Sequence, residues 1–220
     1  MGKASQRVDF VVEEFDKTIK EKGYHLLHEK AYRCPCVNDS GELQITCPHC
    51  HGKGIRYVGD AARIEGILTS MSKDWMFDEY GVSSTGTVYV TTHAKYKLGF
   101  ADRLTLLDGK IVFSEVIENL NTIPVLKYPI IDVDSIVSFN KVYVENTDYS
   151  LANGVITWLK PVHEAYSIRY ITYPTFIILN FPNVVRGTQA KVKQPVIRYV
   201  DLPVRALAKL EFKVKVAELQ

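Results

Sequence analysis

All four cysteines of this chain fall between Cys34 and Cys50, and the rest of its 220 residues contain none. They read Cys34-Pro35-Cys36, a gap of ten residues, then Cys47-Pro48-His49-Cys50-His51-Gly52-Lys53-Gly54. A disulfide scaffold spreads its bridges to staple distant loops, so this clustering argues against one. Four thiolates on two short knuckles can instead surround a tetrahedral ion. The spacing suits that purpose. Pro48 pre-sets a turn inside the second knuckle. Gly52 and Gly54 allow positive φ, which frees backbone N–H groups to point at sulfur. The loop Val37-Asn38-Asp39-Ser40-Gly41-Glu42 turns the chain back and brings the knuckles together.

Three readings of the cluster stand side by side. Structural Zn2+ held by Cys34, Cys36, Cys47 and Cys50 fills the coordination shell and leaves no open position for chemistry. A redox dithiol would use C-x-x-C alone, but expects a βαβ setting that this sequence lacks. Unmetallated thiols or an iron–sulfur cluster complete the set. His49 and His51 are spare donors that a full thiolate set does not need.

Apolar residues make up 46% and charged residues 24%, a globular composition that excludes a disordered chain or a coiled-coil rod. The N-terminal MGKASQR has no apolar core for a signal peptide, and no run approaches the ~18 apolar residues of a membrane span. We therefore expect a soluble protein made in a reducing cytoplasm, with no membrane partner. Val8, Val11, Val12, Phe15 and Ile19 recur at helical spacing before Gly23, predicting an amphipathic helix over 8–22.

From about Thr87 the texture changes to short Val-, Ile-, Tyr- and Thr-rich stretches separated by turn signals. Predicted strands are Thr87–Thr92, Asp102–Leu107, Lys110–Ile117, Ile130–Phe139, Lys141–Glu145, Gly154–Leu159, Tyr166–Tyr173 and Phe176–Asn180. Asp108-Gly109, Asn153-Gly154, Asn140 and Pro174 break them. Turn spacing of this kind predicts a mainly β fold, an antiparallel sandwich or barrel, with an N-terminal helix and a small zinc knuckle. The 13 tyrosines suit a β-sheet surface. The expected division is an N-terminal helix or arm (1–30), a zinc-knuckle insertion (31–60), a β-rich core (61–201) and a basic C-terminal arm (202–220).

Charge is uneven although the total is +2. Residues 185–220 hold eight basic and three acidic side chains, whereas residues 67–184 hold nine basic and twelve acidic. Surfaces of opposite sign can set the polarity of stacked subunits. Phe15 and Ile19 on the helix, with Lys209 and Lys213 near the C-terminus, are the candidate interface residues. Lys53, Arg56 and Tyr57 follow the knuckle and could touch nucleic acid. Asp132 and Asp134 could bind a cation or edge a turn. Asp74–Tyr80 is an aromatic-acidic cluster that could pack inside or anchor an interface. No Walker A, G-x-S-x-G, H-E-x-x-H or dinucleotide fingerprint occurs, so no enzyme is expected.

Two resemblances carry these motifs further. Cys47–Gly54 resembles the C-x-x-C-x-G-x-G repeat of DnaJ-type co-chaperones. Those carry four copies and a J-domain His-Pro-Asp tripeptide, which this chain lacks. A longer pattern, over roughly 8–212, resembles zinc-knuckle structural proteins of tailed bacteriophages from the neck or head-to-tail connector. It comprises the helix, the cysteine cluster, Asp102–Asp108, Asp148–Leu151 before Gly154–Trp158, Tyr166–Tyr170 and Leu202–Leu210. This resemblance implies a non-enzymatic virion structural protein, assembled in the host cytoplasm as a ring of identical subunits. It implies neighbouring portal, neck and tail proteins as partners, and weak, sequence-independent contact with genomic DNA. The alternative is a zinc-ribbon nucleic-acid-binding or chaperone-like accessory protein.

Overall fold

The computed structural model describes residues 12–38, 42–70, 77–78, 81–82, 86–118, 123–182, 187–192 and 196–214. In chain order the elements are α1 (Val12–Lys22), β1 (Tyr24–Glu29), β2 (Ala31–Arg33), β3 (Ile55–Tyr57), β4 (Ala62–Ser70), β5 (Phe77–Asp78), β6 (Gly81–Val82) and β7 (Thr87–Thr92). Next come β8 (Arg103–Leu106), β9 (Ile111–Ile117), β10 (Asp132–Val137), β11 (Val142–Tyr143), β12 (Tyr149–Ala152), β13 (Val155–Trp158) and β14 (Tyr166–Thr172). The last are β15 (Thr175–Asn180), β16 (Gly187–Val192), β17 (Val196–Asp201) and β18 (Val204–Leu210). The chain is mainly β, with antiparallel sheets and one short N-terminal helix, as expected. It forms two compact units, 1–105 with 175–220, and 106–174.

The first unit is built on a closed six-stranded barrel in the order β1-β4-β7-β18-β15-β8. Six strands enclose little space, so large and small side chains must share the interior. Leu26, Ile64, Val90, Leu104 and Ile178 are buried there beside Ala206 and Ala208. Gly66 belongs to the same layer. A Cβ on it would stand 2.9 Å from Leu26 Cδ1 and 3.0 Å from Thr92 Cγ2, tighter than such contacts tolerate. α1 packs on β4 and ends where Gly23 N–H donates to Ile19 O at 2.8 Å.

The second unit is a four-stranded sheet, β11-β10-β14-β9, with the β12–β13 hairpin. Its core is aromatic. Trp158 meets Tyr143 and Tyr166 edge-on at centroid distances of 4.9 and 5.0 Å, and its Nε1–H donates to Tyr166 Oη at 3.1 Å. Tyr170 is fully buried and donates its hydroxyl to Glu115 at 2.6 Å. Burial, then the Glu115 hydrogen bond, push that phenol above its usual range.

Several expectations change here. Tyr149, Tyr166 and Tyr170 are core residues and not sheet surface. The segment 202–220, expected as a basic C-terminal arm, supplies β18, which pairs with β7 on one side and β15 on the other. β1, inside the expected 1–30 arm, is likewise a barrel strand. Of the expected helix, 8–11 lies outside the described residues. So does the Asp74–Tyr80 cluster, apart from the backbone of β5. Asp134 falls at a bulge in β10 and pairs with Arg169 at 3.1 Å, while Asp132 accepts a hydrogen bond from the Val133 N–H; both aspartates have protein partners.

Asp148 ties the β11–β13 region together. Its carboxylate accepts hydrogen bonds from Lys141 (2.7 Å), Lys160 (3.2 Å) and the Val144 N–H (3.0 Å). Its carbonyl accepts the Leu159 N–H at 2.9 Å. Led by the Lys141 contact, these bring its pKa down to about 2. Because the folded value lies below the ~3.9 of an unfolded aspartate, the stabilisation is complete above about pH 4 and lost as pH falls through about 2. We expect the urea midpoint, followed by tryptophan fluorescence, to fall across that window. Asp148→Asn should be less stable at neutral pH and decline less steeply in acid; the same acid slope as the parent contradicts the assignment.

Candidate metal centre

Between β2 and β3 the chain makes two turns that carry the cysteines. The Cys34 N–H donates to Gly54 O at 2.8 Å, extending the β2–β3 ribbon into the cluster. In the first turn Val37 N–H returns to Cys34 O at 3.0 Å. In the second, His51 N–H and Lys53 N–H return to Cys47 O (2.9 Å) and Cys50 O (3.0 Å). Asn38 closes the connecting loop: its Oδ1 accepts the Glu42 N–H at 2.7 Å and its Nδ2 donates to the Glu42 carboxylate at 2.8 Å. Gly54 is favoured by its φ of +71°, a backbone conformation that L side chains rarely adopt.

The four sulfurs all lie within 4.8 Å of one another. Cys34 and Cys47 sulfurs are 3.8 Å apart, and those of Cys36 and Cys50 are 3.4 Å apart. A disulfide needs ~2.05 Å, so none of these pairs is bonded, and all four thiols are free. A tetrahedral ion with metal–sulfur bonds of ~2.3 Å sets its ligands ~3.8 Å apart, a close fit to this cluster. Cys34, Cys47 and Cys50 are buried and Cys36 is partly exposed. Four cysteines stand together, in a position to hold a metal ion.

The thiols are electrostatically unequal. The N–H groups of Cys50 and His49 point at the Cys47 sulfur and lower its pKa to about 6. Burial, and then the Cys50 thiol, push Cys36 up to about 12. Burial opposes ionisation of Cys50 as well, but the Gly54 N–H and the Cys36 thiol outweigh it and leave this thiol below its usual value. Crowded thiols resist simultaneous ionisation, and a cation among them removes that conflict. His49 and His51 are exposed and stand outside the cluster.

A second set of side chains attaches the knuckle to the barrel. Lys53 approaches Glu211 at 3.7 Å, and Arg103 approaches the same carboxylate oxygen at 3.9 Å. Arg103 also donates twice to Glu29, at 2.7 and 2.8 Å. Its guanidinium lies 4.2 Å from the centre of the Tyr57 ring, and the Tyr57 hydroxyl donates to Ala101 O at 3.1 Å. Burial and then the charge of Glu211 push the Tyr57 phenol upward. His28 and Asp102 form a buried pair at 2.7 Å. The one sign of this network in the sequence is the Asp-Arg dipeptide that opens Asp102–Asp108.

The expected interface residues divide. Ile19 is fully buried and is used up in docking α1 on its own barrel, so it is not available to a partner. Phe15 is partly exposed at 37%. Lys209 is half-buried on β18, and Lys213 is exposed in the short turn that follows. Among the described residues no helix is long and apolar enough to cross a membrane. No protein-family model matches this sequence, and no curated protein matches it.

Replacing Cys47 and Cys50 together by Ser should abolish metal binding. Hydrogen exchange should then rise over 31–57 while β7 and β18 keep their protection. Full metal content in the double variant, measured by elemental analysis, overturns the ligand assignment.

Proposed function

We propose that this chain is a non-enzymatic structural subunit, stapled by zinc, that assembles with copies of itself into a ring. The resemblance of the sequence pattern to phage connector proteins supports a seat for that ring in the neck or head-to-tail connector of a tailed phage, between portal and tail. The observation that carries the assembly reading is a row of valines, interrupted by one serine, on the face of the second unit's sheet opposite its core. Val116, Ser167, Val137 and Val142 stand directly opposite one another across β9, β14, β10 and β11. Val116 and Val142 are 62% and 66% exposed, and Phe139, in the turn joining β10 to β11, is 92% exposed. Aligned exposed apolar side chains on one sheet face support an interaction surface there. A closed ring of identical copies covers such a surface on every subunit.

Zinc fits the cluster because a four-thiolate tetrahedron is its usual structural site and suits a folded loop with little apolar mass of its own. Elemental analysis of the purified protein should find about one zinc per chain; iron, or no metal, contradicts this choice. The assembly reading is tested by size-exclusion chromatography with light scattering. The parent should run as a defined oligomer, and Phe139→Asp with Val142→Lys should run as a monomer with an unchanged melting curve. A parent that stays monomeric at high concentration contradicts the ring.

A further inference from the structure

The β2–β3 ribbon has two faces of different character. On one, Tyr57 lies against Ala101 and Arg103 of the barrel. The alternation of side chains along a strand puts Arg56 on the other face, where its direct cross-strand partner is Tyr32. Tyr32 is 50% exposed. Lys30, just before β2, and Arg33, at its end, are both exposed and bracket that tyrosine along the chain. Among the described residues, Lys30, Arg33 and Arg56 have no carboxylate partner, whereas Lys53, Arg103, Lys141, Lys160 and Arg169 each do. Of the three residues expected from sequence to meet nucleic acid, Lys53 is directed to Glu211 and Tyr57 to the barrel. Arg56, half-buried, alone is left on the face away from the barrel, and Tyr32 replaces Tyr57 as the accessible ring.

We propose that this outward face binds single-stranded nucleic acid without sequence preference, with one base stacked on Tyr32 and the adjoining phosphates held by Arg56 and Lys30. An exposed aromatic ring among unpaired cations is the arrangement that binds an unpaired strand, since every base offers a π-face and every linkage a charge. A duplex hides its base faces and leaves the tyrosine without a role. The barrel on one side and the cysteine cluster at the end of the ribbon hold the two strands in register, so the ring and the cations are presented together. The site rests on neither the ring assembly nor the identity of the metal.

The test is fluorescence anisotropy of the full-length, metal-replete protein with labelled oligothymidylate and with a duplex of equal length, across a salt series. Single-strand binding should exceed duplex binding. Tyr32→Ala should weaken it by between about five-fold and a hundredfold with little change in salt dependence, and Tyr32→Phe should retain it. Arg56→Gln should lower the slope of log affinity against log salt by about 0.7, the value for one phosphate on a single strand. Lys209→Gln with Lys213→Gln should leave both readouts alone. No binding at low salt, tighter duplex binding with Tyr32→Ala silent, or a loss that follows Lys209 and Lys213 each overturns the proposal. A monomer that still binds the strand through Tyr32 contradicts the ring and leaves this site standing.

Discussion

The buried carboxylate of Asp102 holds the seam at which the barrel closes. It accepts hydrogen bonds from His28 of β1 at 2.7 Å, from the Ala31 N–H at 2.8 Å and from the Gly99 N–H at 2.7 Å. Burial alone would raise its pKa, but His28 and the two N–H groups outweigh it and hold the group ionised. A buried charge with any one of these partners missing would be costly, so the three segments are held in mutual register. The flanking residues extend the seam. Ala101 bonds to β15 through its N–H and accepts Tyr57 of the ribbon through its carbonyl. Arg103 grips Glu29 and shares Glu211 with Lys53 of the knuckle. Three consecutive residues thus join the barrel, the ribbon and the cysteine cluster, and the position of the cluster depends on them.

Much of this was legible in the chain, and the pattern of what was not is physical. The strands from β7 to β11 and from β13 to β15 announced themselves because β-branched and aromatic residues alternate there between Gly, Asn and Pro breaks. β18 did not, since Val-Arg-Ala-Leu-Ala-Lys-Leu is built of good helix formers. Its alanines reflect the narrow barrel interior, where Ala206 and Ala208 are fully buried. Tertiary packing overrode local preference. β1 and β4 escaped for a related reason: polar His28, Glu65 and Gly66 sit where an isolated strand would show apolar alternation, and only the closed barrel explains them. The tyrosines of the second unit were misplaced outward because β propensity does not distinguish a wet face from a buried one.

The cysteine cluster was the most legible site because metal ligands obey short-range spacing. What spacing does not reveal is orientation. Gly54, the Cys34–Gly54 hydrogen bond and the Tyr57–Arg103 contact decide which face of the ribbon meets the barrel and which meets solvent. Two surfaces are proposed to be functional, each within its own unit: the valine row of the second unit for assembly, and Tyr32 with Arg56 of the first for an unpaired strand. Neither requires a reacting group, and both require rigid presentation.

That view stands on the cluster being a saturated staple. X-ray absorption at the zinc edge of the purified protein measures its shell directly. Four sulfur scatterers at ~2.3 Å and no lighter ligand are expected. Two or three sulfurs completed by nitrogen or oxygen would reveal an open or mixed site and contradict a purely structural role.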